Sequence, residues 1–195
     1  MREHYLHILR DTEKRARRAI RVQNLTQGSP WYGAFPQNDG VYQAKSSIYC
    51  IESLVTCYCC ADSQLYHGPL LLERARLGLD YVDSVQHENG LFDYITCNFF
   101  SAPDTAFCIG IILHLAQFLK RKEALVAGEA ALLAKLDPII HDGGRGLPEG
   151  GFHTPNHRWA IAALLATCGK LYGEADLIQA AFQYLNEGID CNEDG

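Results

Sequence analysis

The chain has 195 residues, 48% of them hydrophobic and 21% charged. That balance excludes collagen-like, low-complexity and disordered classes, and the length suffices to bury one sizeable core. The formal net charge is −6, yet residues 1 to 22 hold seven of the 17 Lys/Arg and three of the 23 Asp/Glu, so the body is markedly acidic. An acidic body argues against nucleic acid as a partner, because that affinity comes from neutralising phosphates with Lys and Arg.

The start, Met1-Arg2-Glu3-His4-Tyr5, shows neither an apolar signal core nor a small-residue cleavage site, so the chain as written reads as cytoplasmic. Cys50, Cys57, Cys59, Cys60, Cys108 and Cys168 then read as reduced thiols in apolar helices. No membrane partner is expected. The densest apolar stretch, Phe107 to Leu119, is broken by His114 and Gln117 and is shorter than the roughly 20 residues a span requires.

Over residues 3 to 24, Tyr5, Ile8, Leu9, Ala16, Ala19, Ile20 and Val22 recur near a 3.6-residue spacing, which predicts an amphipathic helix with a solvated basic face. Gln27-Gly28-Ser29-Pro30 ends it, and a loop rich in Gly, Pro and aromatics runs to about Tyr42. A theme then repeats: a Gly-x-Phe loop, a strongly apolar helix, and a more amphipathic one. The loop copies are Gly33-Ala34-Phe35, Gly90-Leu91-Phe92 and Gly150-Gly151-Phe152. Apolar helices are expected near 44–60, 103–118 and 155–170, with hairpin partners near 69–86, 122–140 and 174–188.

Ala102-Pro103-Asp104-Thr105-Ala106-Phe107 aligns with Thr154-Pro155-Asn156-His157-Arg158-Trp159, each placing Pro in a first helical turn. Apolar helices alternating with amphipathic ones suit an inner and an outer layer. The predicted fold is all-α, with helical hairpins forming an incomplete α/α toroid. It is a single helical domain over 1–195, with an N-terminal helix over 1–25 and three loop-plus-hairpin repeats over 26–195, part of a longer toroid. Leu91 to Thr96 alternates like one short strand, and no second period-2 run offers it a partner.

Long loops and the starts of the apolar helices should share one end of such a layer, so chemistry is sought there. Asn156 and His157 occupy a first helical turn behind a candidate N-cap, Thr154. Free backbone N–H groups and the positive helix end favour an anion, and an amide plus an imidazole would complete a carboxylate-binding pair. His153 and Arg158 flank the pair. Asp104 holds the position matching Asn156 one hairpin earlier, although Ser101 to Asp104 is also a capping-box pattern. Glu149 and Asp93 follow loop glycines and could bind sugar hydroxyls. Trp31, Tyr32 and Phe35 could stack on sugar or simply pack, and Tyr42 and Tyr94 are possible proton-transfer groups or aromatic wall.

The string from Gly146 to Trp159, Gly-Leu-Pro-Glu-Gly-Gly-Phe-His-Thr-Pro-Asn-His-Arg-Trp, resembles the heparinase II/III-like and alginate-lyase-like α/α-toroid polysaccharide lyases. The resemblance implies that Asn156 and His157 neutralise a uronate carboxylate, with an acidic poly- or oligosaccharide as partner. It also implies a catalytic tyrosine on a further hairpin, after a loop whose beginning resembles Asn192-Glu193-Asp194-Gly195, and a β-sandwich beyond. The chain stops at Gly195, so it reads as incomplete for turnover, with self-association through an exposed toroid edge.

Two other functions compete. An α/α-toroid glycoside hydrolase would pair carboxylates among Asp93, Asp104 and Glu149, and a non-catalytic helical module would bind glycan or protein. Cys57, Cys59 and Cys60 lack the paired spacing of a structural metal site, so neither metal nor other cofactor is expected. GxxxxGK[ST], GxGxxG and GxSxG are absent, which removes the usual support for nucleotide-dependent and serine-hydrolase chemistry.

Overall fold

A computed structural model describes residues 2–149 and 154–186. The fold is all-α: helices α1 (Arg2–Val22), α2 (Ala44–Cys59), α3 (Pro69–Ser84), α4 (Ala102–Lys120), α5 (Ala127–Gly146), α6 (Pro155–Tyr172) and α7 (Ala175–Asn186), with one small hairpin of β1 (Phe92–Tyr94) and β2 (Asn98–Ser101). The chain divides into two compact units, Met1–Gln86 with Ile111–Pro138 and His87–Gly110 with Ile139–Gly195.

In the first unit α1 packs on α2 and α2 on α3. Ala16, Ala19, Ile48, Ile51, Leu54, Leu79 and Val82 are buried there, following the stripes that the helical period sets out. Two buried carboxylates are satisfied locally. Glu13 Oε1 accepts the Ser63 hydroxyl at 2.8 Å and the Gln64 N–H at 2.7 Å, fixing α1 to the turn after α2. Glu129 takes the Val126 N–H at 3.2 Å and Lys122 at 2.5 Å, which makes Ala127 the start of α5, five residues later than the periodicity places it.

In the second unit α6 and α7 form a hairpin closed at Gly173, whose φ of 74° ends α6 in a left-handed cap. Helix α5 continues to Gly146, beyond the expected end near 140, because its late glycines serve close packing. A Cβ on Gly144 would lie 2.9 Å from Cys168 Sγ, and one on Gly146 would lie 2.2 Å from the Asn89 carbonyl oxygen.

The expectation that the Leu91–Thr96 strand lacks a partner is overturned: β1 pairs antiparallel with β2, Phe92 opposite Ser101 and Tyr94 opposite Asn98. The partner escapes a period-2 search because the register shifts between these pairs, so Asn98 to Ser101 shows no alternation; its first three residues are exposed.

The first two Gly-x-Phe loops are the same device built twice. Gly33 and Gly90 have φ of 88° and 82°, and a Cβ on either would strike a backbone carbonyl oxygen, Leu77 at 2.4 Å or Asp142 at 1.9 Å. The next residue's carbonyl accepts a loop N–H, Asn24 to Ala34 at 2.9 Å and His87 to Leu91 at 3.0 Å. The buried phenylalanine then donates its backbone N–H to a hydroxyl on the fourth residue of the following helix, Phe35 to Ser47 at 3.1 Å and Phe92 to Thr105 at 2.8 Å. The third copy, Gly150 to Phe152, lies outside the described residues.

Candidate functional site

Within the second unit the starts of α4 and α6 lie side by side. Phe107, one turn into α4, meets His157 edge-on, ring centroids 5.9 Å apart at 75°. Thr154 is the N-cap of α6 as its position predicts, but its hydroxyl caps no N–H. It donates instead to Asn156 Oδ1 at 2.6 Å. With that oxygen engaged, the Asn156 amide N–H₂ is the group offered to a ligand.

The backbone contributes less than a free helix start would. Pro155 has no N–H, and the N–H groups of His157 and Arg158 both close onto the Thr154 carbonyl, at 2.9 and 3.1 Å. Anion binding at this end therefore falls to side chains and the helix dipole. Asn156 is exposed, while His157 and Arg158 are half-buried.

Ser101 and Asp104 form the hydroxyl half of a capping box. The Ser101 hydroxyl accepts the Asp104 N–H at 3.3 Å and donates to its carboxylate at 2.7 Å. Just before it, the hairpin carries a cluster that the sequence reading did not assemble. His87 Nε2 lies 2.9 Å from Asp93 Oδ1, the same oxygen accepts the Phe100 N–H at 2.8 Å, and the Phe100 ring packs on the imidazole at 4.1 Å. Phe100 has φ of 50°, a left-handed conformation that costs a non-glycine residue about 1–2 kcal/mol. Phe100, Ser101, Asp104 and Phe107 follow one another along β2 and the first turns of α4, with His87 packed on Phe100 and His157 against Phe107.

Of the other residues singled out, Glu149 is exposed at the end of a short 3₁₀ turn, Leu147–Glu149. His153 lies outside the described residues. Tyr94 is half-buried at the end of β1. Trp31 and Tyr42 belong to the first unit, where they stack at 5.6 Å and 17°; Tyr32 is exposed beside them in sequence and Phe35 is core.

Cys57 ends up buried and Cys59 half-buried, and burial pushes both thiols up to about 11, leaving them neutral. Among the described residues no three metal-binding side chains gather. No protein family, curated protein or solved structure matches this chain.

The signal for the missed cluster was present but short. His87 and Asp93 flank an Asn89-Gly90 turn, which brings residues three before and three after the glycine together, and Phe100 stands two residues ahead of α4.

Proposed function

We propose that the chain is a polysaccharide-lyase-like domain, its hairpins part of an α/α toroid, that binds a uronate-containing poly- or oligosaccharide for β-elimination. One observation carries the reading: an exposed Asn156 and, next to it in sequence, His157 against the Phe107 ring stand in the first turn of an 18-residue helix, at its positive end. In β-elimination the C5 proton of a uronate is weakly acidic because the neighbouring carboxylate is negative. Donors that bind that carboxylate stabilise the enolate-like charge developing in the transition state. Asn156 supplies an amide donor and His157 an imidazole donor, with Arg158 beside them and aromatic rings nearby for sugar faces.

The hydrolase alternative draws less support. Asp93 is committed to His87 and the Phe100 N–H, and Asp104 to Ser101, so two of its three candidate carboxylates, with Glu149 exposed as the third, already hold local structure. The test is substitution. In a chain that turns over, Asn156→Ala or His157→Ala should lower kcat by roughly 10²–10³-fold, the loss typical of one preorganised transition-state donor. Wild-type rates in both would remove the pair from the reaction.

A further inference from the structure

We infer that the basic outer stripe of α1 is a second binding surface for the acidic polymer, holding sugars other than the one whose carboxylate meets Asn156 and His157; this deepens the lyase reading above and rests on it.

The helical period sorts α1 into two sides. Leu9, Thr12, Glu13, Ala16 and Ala19 are buried, and the helix packs on α2. Arg10, Lys14, Arg17 and Arg21 stand at i, i+4, i+7 and i+11, so they form one line on the opposite side, and all four are exposed. At the helical rise the line is about 16 Å long. Glu3, one heptad before Arg10, closes it at the positive end of the helix.

The charge of this line is largely uncompensated. Lys14 is shared with Asp11 at 3.0 Å, but among the described residues no carboxylate pairs with Arg10, Arg17 or Arg21. Arg17 donates instead to Gln64 Oε1 at 3.2 Å, and the neighbouring Arg18 to Asn38 Oδ1 at 3.0 Å. These neutral acceptors position a guanidinium without cancelling its charge. Beyond residue 22 the chain has twice as many Asp/Glu as Lys/Arg, so carboxylates are plentiful and yet these arginines have none.

The residue type narrows the partner. Six of the seven cations in residues 1 to 22 are arginine, whereas the other ten divide evenly between Arg and Lys. A guanidinium takes a carboxylate through two parallel hydrogen bonds, which an ammonium cannot do, and solvation alone needs no such fork. A 1,4-linked uronate polymer carries one carboxylate per sugar, at an interval comparable with a helical turn of about 5.4 Å. A broad anionic surface such as a bilayer fits less well. It also meets the acidic remainder of the chain, whereas a polymer one sugar wide feels mainly charges within about 8 Å, the screening length at physiological ionic strength. The apolar side of α1 is spent on α2, which leaves none to insert.

The test titrates the intact ¹⁵N-labelled chain with polymannuronate, polyguluronate or an unsulfated glucuronate-containing polymer, each as a hexamer and as a much longer chain. Side-chain Nε signals of Arg10, Arg17 and Arg21 report the stripe, and the His157 imidazole reports the carboxylate site. The expected result is saturable shifts at both with the long form of one of these polymers. The triple variant Arg10→Gln, Arg17→Gln, Arg21→Gln should bind the long form at least tenfold more weakly, with a flatter salt dependence, while the hexamer still shifts His157. A control of equal charge change, Arg2→Gln, Arg15→Gln, Arg76→Gln, removes cations off the stripe and should keep affinity within about twofold. All six positions are exposed, so both variants should keep the wild-type fold. Equal losses in the two variants, or silence at the three arginines while His157 responds, overturns the inference and leaves the carboxylate site standing. Stronger retention on phosphatidylserine-containing vesicles than on the polymers, lost in the stripe variant, overturns the choice of partner. Silence at His157 overturns the lyase reading, and with it the claim that α1 serves its substrate.

Discussion

The Phe107 ring meets the His157 imidazole edge-on, 5.9 Å between centroids and 75° between planes, so the first turn of α6 is steadied by a side chain one turn into α4. Such aromatic contacts are worth roughly 0.5–1.5 kcal/mol beyond burial. Phe107 is partly exposed, so Phe107→Ala should leave the thermal midpoint nearly unchanged. It should weaken uronate binding about three- to tenfold, read by calorimetry. Unchanged affinity would show that His157 needs no support from α4.

The twin loops make a prediction about stability. Gly90→Ala places a methyl on a left-handed residue and against the Asp142 carbonyl, and should destabilise by several kcal/mol. Gly28 has φ of 80° and open space around it, so Gly28→Ala should cost only about 1–2 kcal/mol. Urea unfolding of the two variants checks the contrast, and equal effects would mean that close approach to α5 does not constrain Gly90.

Thr105→Val keeps the shape of the side chain and removes the acceptor of the buried Phe92 N–H. The orphaned donor should cost about 1–3 kcal/mol. Amide exchange at Phe92 should quicken in step. Protection retained at Phe92 would refute the clamp.

A pH window follows from the cluster where α5 meets the start of α7. Hydrogen bonds that His141 donates to Asp142 first, then to Glu174, raise its pKa, while those that Glu174 accepts from His141 first, then Arg145, lower that of Glu174. The raised histidine stabilises the fold fully below its unfolded value and loses that contribution as pH rises through its folded one. The lowered glutamate contributes above its unfolded value and loses it as pH falls. Together they favour the fold most between roughly pH 4.5 and 6.5. In His141→Gln, denaturation midpoints should no longer decline as pH rises from 6 to 8; an identical pH profile in wild type and variant would sink the account.

The helices were legible because burial on one stripe writes a 3.6-residue pattern into α1, α3 and α7, and near-continuous apolarity into α4. Asn156 and His157 were legible because Pro155 marks a helix start. The ends of α5 were not: its start is set by the Glu129 cap, and at its other end Gly144 and Gly146 look like stop signals and act as contact points. Strand β2 and the His87–Asp93 pair were hidden for a common reason: both depend on how a turn folds back, which leaves no periodic trace. The Ser47 and Thr105 clamps were equally silent, a hydroxyl on a helix being unremarkable until a backbone N–H is found pointing at it.

The most direct test of the carboxylate site compares a uronate hexasaccharide with the same sugar after its carboxyl groups are reduced to alcohols. Each is titrated into ¹⁵N-labelled protein while the Asn156 side-chain amide and the His157 imidazole are observed. The uronate should shift both signals saturably, and the reduced sugar should bind at least tenfold more weakly at that position. Equal responses to the two sugars, or silence at Asn156 and His157 while the uronate binds elsewhere, would contradict the account.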